Sequence, residues 1–281
     1  MQKVQSEYMN GNELRIALHE GRRVYGTLVV SPSPRWTQAV NVLGLDFVFL
    51  DTEHVAMDRA QLSWMCETYS AMRLAPVVRI PQPDPYQACM VLDGGAQGII
   101  VPYVETAEQV RQLVGACKYR PLKGKKLHRF LHGEEILEPK LQRYLDINNA
   151  NNTLIVNIES LPALEALDDI LSVEGLDGVL IGPHDLSISL GIPEEYDHPD
   201  FIHTVDIIIQ KARFYHVGAG IHATFTGAVE QEIRWAKLGA NLIVHWGDIL
   251  TFRHWMRKDI EAIKLALGDL DDKQDSDAIH I

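Results

Sequence analysis

The run Asp46-Phe-Val-Phe-Leu-Asp-Thr-Glu-His54 is apolar up to Leu50 and then ends abruptly in Asp51, Glu53 and His54. Such a segment delivers an acid/base cluster to the tip of a buried strand. His54, three residues after Asp51, has the residue type and pKa range of a general base near neutral pH, with the carboxylate to orient it. Four later apolar runs end in the same way: Pro76-Val-Val-Arg79, Leu154-Ile-Val-Asn-Ile-Glu159, Gly178-Val-Leu-Ile-Gly-Pro-His-Asp185 and Asn241-Leu-Ile-Val-His245. The planar fork of Arg79 fits a carboxylate or enolate oxygen, the alternative being a structural ion pair with a neighbouring strand-end acid. Glu159 and Asp185 supply two carboxylates that, with water and a chelating substrate, complete the octahedral oxygen shell favoured by magnesium or manganese. For Asp185 a helix cap is the competing reading, because Asp185-Leu-Ser has the form of one. His184, His222 and His245 add imidazoles, read as polar lining in preference to metal ligation or proton transfer.

These residues lie far apart in sequence, so their meaning depends on the elements that carry them. Short apolar segments alternate with longer ones of helical period, which is the pattern of a parallel sheet with crossover helices. Strands are predicted at about 24–30, 46–52, 76–80, 98–103, 153–159, 178–182, 218–222 and 241–245. Helices are predicted at about 35–43, 59–73, 84–94, 106–118, 137–149, 161–172, 200–216, 226–238 and 248–268. The strands are continuous in Val, Ile and Leu, as expected when both faces of a sheet are covered. A doubly wound sheet would normally show a Gly-rich nucleotide turn after the first strand, and Val30-Ser-Pro-Ser-Pro34 cannot serve as one. Eight strand–helix units therefore predict an α/β fold of the closed (β/α)8 barrel type, one domain over residues 1–270 with an acidic, fraying tail at 271–281. In such a barrel every strand ends at one rim, so Glu53, His54, Arg79, Glu159, Asp185, His222 and His245 are expected to converge.

Composition narrows the partners. A formal charge of −12 over 281 residues, with no large Lys/Arg cluster, argues against nucleic acid. Cys66, Cys89 and Cys117 are widely separated and lack zinc-ligand spacing, so free thiols are expected. The N-terminus has no signal-peptide pattern and no apolar run is long enough to span a bilayer, which predicts a cytoplasmic protein without a membrane partner.

Five ordered motifs, Asp51-Thr-Glu-His54, Val77-Val-Arg79, Leu92-Asp-Gly-Gly-Ala-Gln-Gly-Ile-Ile-Val-Pro102, Ile158-Glu159 and Ile181-Gly-Pro-His-Asp-Leu-Ser-Ile-Ser-Leu-Gly191, resemble those of the class II pyruvate aldolases of the HpcH/HpaI family. That family includes 4-hydroxy-2-oxoheptanedioate aldolase and 2-keto-3-deoxy-sugar-acid aldolases. The resemblance runs from about Asn12 to Phe252. It implies a TIM barrel of the phosphoenolpyruvate/pyruvate type and a divalent metal, Mg2+ or Mn2+ with Co2+ as an alternative, on Glu159 and Asp185. It also implies enolate stabilisation by Arg79, a His54/Asp51 proton-transfer dyad, and receipt of the pyruvate carboxylate by the backbone amides after Gly182, at His184. Asp93 would sit near the aldehyde site at a subunit boundary, in a trimer-based hexamer whose last helix packs on a neighbour.

The match breaks after Tyr119-Arg-Pro, where the family's Gly-x-Arg-Gly-x-Gly turn is replaced by Gly124-Lys-Lys-Leu-His-Arg129. This 123–135 stretch reads as a cationic loop able to meet the far end of an acidic or polyhydroxylated substrate. Asn157 stands where Gln is common. The implied reaction is cleavage of a 4-hydroxy-2-oxo acid to pyruvate and an aldehyde. No lysine follows a strand where an imine would need one. A related carbon–carbon lyase or decarboxylase on oxaloacetate-like or thioester substrates is the alternative, and a non-catalytic metabolite-binding barrel is the reading of another class.

Overall fold

The computed structural model describes residues 9–269; the acidic tail expected to fray, 271–281, lies outside the described residues. Eight parallel strands close on themselves in sequence order: β1 (Val24–Val29), β2 (Phe47–Asp51), β3 (Ala75–Arg79), β4 (Gly98–Val101), β5 (Thr153–Ile158), β6 (Gly178–Ile181), β7 (Gly218–Ala223) and β8 (Leu242–Gly247). All eight coincide with predicted strands to within two residues or so. β1 pairs with β8 and closes the barrel, with an irregularity in the ladder between Gly26 and Leu28.

Strand side chains alternate between two faces, and here the alternation builds two cores. Leu28, Phe47, Phe49, Ala75, Val77, Ile100, Ile155, Leu180, Leu242 and Val244 fill the barrel interior. Their sequence neighbours, among them Val48, Leu50, Val78, Ile99, Val156, Val179 and Ile221, face outward under the helices. Counting on by two from the interior residues leads to Asp51, Arg79, Asn157, Glu159, Gly182, His222 and Trp246, the positions that reach the C-terminal rim on the barrel axis. The opposite end is covered by the helix Gly11–Glu20, whose Leu14 and Leu18 are buried with the interior cluster and whose Asn10 and Glu13 form a capping box.

Four helical elements depart from expectation, the first being the helix Gly11–Glu20, which matches no predicted helix. Residues 161–172 form two short helices, Leu161–Glu165 and Leu167–Leu171, with Ala166 as the joint between them. Pro183–Ser189 is a separate helix. The stretch 123–135, expected as a loop, contains the helix Gly124–Leu131. Its Leu127, Phe130 and Leu131 share one face, which packs on the helix Ala107–Lys118. That approach needs Gly115, because a Cβ there would lie 2.9 Å from Leu131 Cδ1 and 3.1 Å from Leu127 Cδ2. Two cations of this segment are met by acids. Lys126 pairs with Glu138 at 3.1 Å, and Arg129 lies 3.6 Å from Glu135 and 3.9 Å from Glu134. Glu134 and Glu135 of the segment, with Glu138 just beyond it, partly offset the charge of Lys126 and Arg129.

The last helix, Asp248–Leu267, starts firmly and then leaves the barrel. The Asp248 carboxylate accepts from the backbone N–H of Val30 and Ser31, at 3.2 and 2.9 Å. Beyond Leu250, Phe252, Trp255, Met256, Ile260 and Ile263 are 43% to 56% exposed. Among the described residues no helix is long and apolar enough to cross a membrane. The three cysteines are free; burial raises the Cys66 and Cys117 thiols to about 12, which leaves them inert.

Candidate active site

Arg79 organises one side of the rim. Its Nε and Nη2 donate to Asp51 Oδ1 and Oδ2, both at 2.8 Å, and Nε also lies 3.0 Å from Glu53 Oε2. Asp51 is buried. Burial alone would raise its carboxyl, but the hydrogen bonds and charge of Arg79 outweigh burial and hold the group below its usual range. Burial dominates at Glu53, which is raised in spite of Arg79 and His54. For Arg79 burial disfavours the cation, and Asp51, Glu53 and Glu159 together more than restore it.

The expected His54/Asp51 pair takes a different form. Both residues reach the same tip, but Asp51 spends its oxygens on Arg79 and on the backbone N–H of Glu53. His54 Nε2 instead lies 3.7 Å from Glu53 Oε2, with the imidazole half exposed toward the cavity. Among the described residues His54 makes no hydrogen bond to Asp51. Glu53, tied to Arg79, is therefore its immediate carboxylate neighbour.

Glu159 and Asp185 form the other side. Glu159 is buried at 6% exposure, accepts from the backbone N–H of Tyr103 at 2.9 Å and from Asn157 Nδ2 at 2.9 Å, and is pushed up to about 7, by burial first and by the nearby Asp185 charge. Asp185 is the third residue of the helix Pro183–Ser189, whose N-cap is Gly182, so it does not cap that helix. Its carboxylate has no protein partner among the described residues. Gly182 is required for the approach of the two segments: a Cβ there would lie 2.5 Å from Glu159 Oε2.

His54, Arg79 and Asp185 face one cavity of about 250 Å3, lined also by Phe49, Asn157, Gly182, His184, Tyr196, His222 and Thr224, with Asp51, Glu53 and Glu159 behind this lining. His222 is buried in the floor, edge-on to Phe49 at 5.3 Å between ring centres. His184 is at the mouth, 3.6 Å from Glu194. His245 does not converge with the rest. It follows Val244, which is interior, so its side chain points outward and bonds Glu232 at 2.7 Å. Asp93 is also elsewhere in this chain. It ends the helix Pro85–Asp93, which runs away from the rim, and its exposed side chain lies 3.4 Å from Arg120.

Tyr103 escaped the sequence reading. Its backbone adopts φ +56° just past β4, which turns its N–H onto Glu159, while its phenol lies close to Glu53. Proximity to Glu53 is the main cause that raises the phenol pKa. One residue thus links the two acidic sides of the cavity, and the only available signal was its place after the strand-ending Val101-Pro102.

The residues fit a divalent cation. A buried carboxyl raised to about 7 beside a second carboxylate is an electrostatic arrangement that a cation relieves. No group of three or more His, Cys, Asp or Glu among the described residues is arranged as a closed metal cage. A carboxylate on an open cavity with a second one buried beside it suits a magnesium- or manganese-type ion that keeps water and substrate oxygens as its other ligands.

A parallel barrel with carboxylate, imidazole and guanidinium side chains gathered at its C-terminal rim has the layout of an enzyme, and comparison with known proteins places it more narrowly. The model of the HpcH/HpaI aldolase/citrate lyase family matches residues 25–248. The chain is 30% identical over 253 residues to the hydroxypyruvate/pyruvate aldolase of Roseovarius nubinhibens, covering 89% of this chain and 95% of that one. It is likewise 30% identical over 265 residues to the 2-keto-3-deoxy-L-rhamnonate aldolase of Salmonella gallinarum, covering 91% and 96%. The crystal structure of an HpcH/HpaI aldolase from Desulfitobacterium hafniense superposes with a TM-score of 0.76 at 27% identity, over 93% of this chain and 99% of that one. The chain belongs to the HpcH/HpaI aldolase/citrate lyase family and is a carbon–carbon lyase.

Proposed function

We propose that this protein is a divalent-metal-dependent aldolase that cleaves a 4-hydroxy-2-oxo acid to pyruvate and an aldehyde. The observation that carries the reading is that Arg79, pinned by Asp51 and Glu53, opens on the same small cavity as Asp185, with the buried Glu159 directly behind the lining residues Asn157 and Gly182. The names of the two relatives above, both aldolases, point the same way.

In this reading the 2-oxo acid head lies between Arg79 and the first-turn amides of the helix Pro183–Ser189, which no side chain caps. Glu159 and Asp185 hold the cation, which when bound supplies Lewis-acid stabilisation of negative charge at the 2-oxo group. His54 accepts the proton of the C4 hydroxyl. The electrons released form the aldehyde carbonyl as the C3–C4 bond breaks, and that bond pair passes into the enolate. Arg79 faces the enolate charge with a fork that Asp51 and Glu53 hold in place, so little reorganisation is needed as charge develops. Return of a proton to C3 gives pyruvate.

We also propose a trimer-based hexamer in which the helix Asp248–Leu267 packs on a neighbouring copy. Its exposed apolar row, from Phe252 to Ile263, supports that arrangement. The position of Asp93, far from the cavity of its own chain, is compatible with service at a neighbour's site. Phe252→Glu with Trp255→Glu is expected to dissociate the assembly in sedimentation analysis.

The test of the activity is pyruvate release from a panel of 4-hydroxy-2-oxo acids, with and without a chelator. Release that stops on chelation and returns with Mg2+ or Mn2+ is the expected result. Release indifferent to metal, or none on any member, overturns the reading.

A further inference from the structure

We propose that His128, His132 and Glu108 form a second metal site, on the outside of the barrel, that takes a zinc- or nickel-type ion in preference to a magnesium-type one. It lies on the segment where the sequence departs from the family's turn, and it is independent of the rim cavity.

His128-Arg-Phe-Leu-His132 sets two imidazoles four residues apart. The turn between them is helical, because the backbone N–H of His132 donates to the His128 carbonyl at 3.2 Å where the helix Gly124–Leu131 ends. Side chains at this spacing share one face, and two histidines so placed are a recurrent means for a helix to grip a transition ion. Here the rings are stacked, with centres 4.2 Å apart and planes 23° from parallel. Both residues are exposed, so an ion reaches them from solvent.

Hydrogen bonding orients His132 as a ligand. Its Nδ1 lies 2.8 Å from the backbone carbonyl of His128. A carbonyl only accepts, so Nδ1 carries hydrogen, and in the neutral ring Nε2 is left with the lone pair. Metal-bound histidines are commonly fixed in this way through their other nitrogen. Nε2 lies 3.4 Å from Oε2 of Glu108, in the first turn of the helix Ala107–Lys118. Among the described residues no hydrogen bond joins these two atoms. Two ligand atoms about 2.0–2.2 Å from one ion at a tetrahedral angle stand roughly 3.4 Å apart. The pair therefore has the span of one edge of a coordination shell.

The surroundings decide which ion fits. Arg111 donates to Glu108 Oε2 at 3.1 Å and Gln112 to Oε1 at 3.2 Å, which fixes the direction of the carboxylate. The charge of Arg111 opposes a cation here. A strongly hydrated ion held by one carboxylate gains too little to overcome it, whereas an ion with affinity for imidazole gains two nitrogen bonds that Mg2+ does not form. Among the described residues no three such side chains already converge on one point. His128 is the ligand that moves: its exposed ring turns off the stack and brings a nitrogen to the ion held by His132 and Glu108. The helix Gly124–Leu131 has no side-chain N-cap and no fully buried residue. An ion at its end ties it to the start of Ala107–Lys118, the helix on which it already rests through Leu127 and Leu131.

The test is calorimetric titration of Ni2+ or Zn2+ into the full-length protein, free of any histidine tag and held in excess Mg2+. The wild type is expected to bind one such ion that Mg2+ does not displace. His132→Ala and His128→Ala should each weaken it at least about ten-fold, and Glu108→Gln by less, since an amide oxygen remains. Both histidines are exposed, so their replacement is expected to cost the fold little. Asp185→Asn, at the rim, should leave this ion in place. Melting gives an independent readout: Zn2+ should raise the Tm of the wild type and leave that of the His128→Ala, His132→Ala double variant unmoved. Binding unaltered in the double variant, binding lost only in Asp185→Asn, or a wild type that takes up no ion beyond the rim one overturns the site.

Discussion

Asp51 and Arg79 are register partners across the parallel ladder between β2 and β3, and the same pair is joined by two side-chain hydrogen bonds of 2.8 Å. Backbone pairing fixes the separation of their Cα atoms, so the guanidinium is aimed by the sheet. A carboxylate that has given both oxygens to this task is first a positioning group for Arg79.

Asp51→Asn retains the shape but offers one acceptor oxygen in place of two. Glu53 keeps Arg79 paired, so the protein is expected to fold with a loss well below the ~3–5 kcal/mol of breaking a lone buried pair. Catalysis should suffer more. We expect kcat/KM to fall about 10- to 100-fold, mostly in kcat, as the fork loses its alignment with the enolate. A crystal structure of the variant with Arg79 unmoved and full activity would remove Asp51 from this role.

Gly182→Ala tests the acidic side without touching a carboxylate. The added methyl would lie 2.5 Å from Glu159 Oε2, so either Glu159 or the start of the helix Pro183–Ser189 must move. Metal affinity measured by calorimetry is expected to fall at least about ten-fold while melting changes by only a few degrees, because the ligand geometry tolerates shifts of a few tenths of an ångström at most. Unchanged affinity would mean that Glu159 is not a ligand.

How far these relationships are legible in sequence depends on what sets them. The strands are legible because each is a continuous apolar run covered on both faces. Arg79, Glu159 and Asp185 are legible because each stands at the end of such a run. His222 and His245 look equivalent by that criterion and are not. The two-residue alternation places His222 in step with the interior and His245, one after Val244, out of step with it. The helix Gly124–Leu131 carries its signal in the spacing of Leu127, Phe130 and Leu131, but it has no side-chain N-cap and is crowded with cations. Tyr103 and the pairing of His54 with Glu53 depend on a backbone torsion and on competition for Asp51, and neither is written in residue type.

His54→Ala is expected to lower kcat by about two to four orders of magnitude with metal affinity little changed, as for the loss of a general base. Because Glu53 is the nearer carboxylate, at 3.7 Å, Glu53→Gln should lower kcat more than its effect on KM. Pre-steady-state measurement of pyruvate formation separates the two constants. Near-normal turnover of His54→Ala across pH 6 to 9 would leave His54 without a role in proton transfer.

The buried His222 also predicts a pH dependence of stability. Its folded pKa, about 4, lies below the unfolded value of 6.5, so the folded protein favours the neutral ring. The stability this confers is fully present above pH 6.5 and is lost as pH falls toward 4, where the unfolded chain binds a proton that the folded one does not. A displacement of this size corresponds to about 3 kcal/mol. Other groups titrate over the same range, the raised Glu159 in the opposite sense, so the informative quantity is a difference. Denaturant unfolding of wild type and His222→Leu at pH 7.5 and pH 4.5 should show the wild type losing about 2–3 kcal/mol more than the variant. Parallel curves would show that the imidazole is solvated and protonated in the folded state.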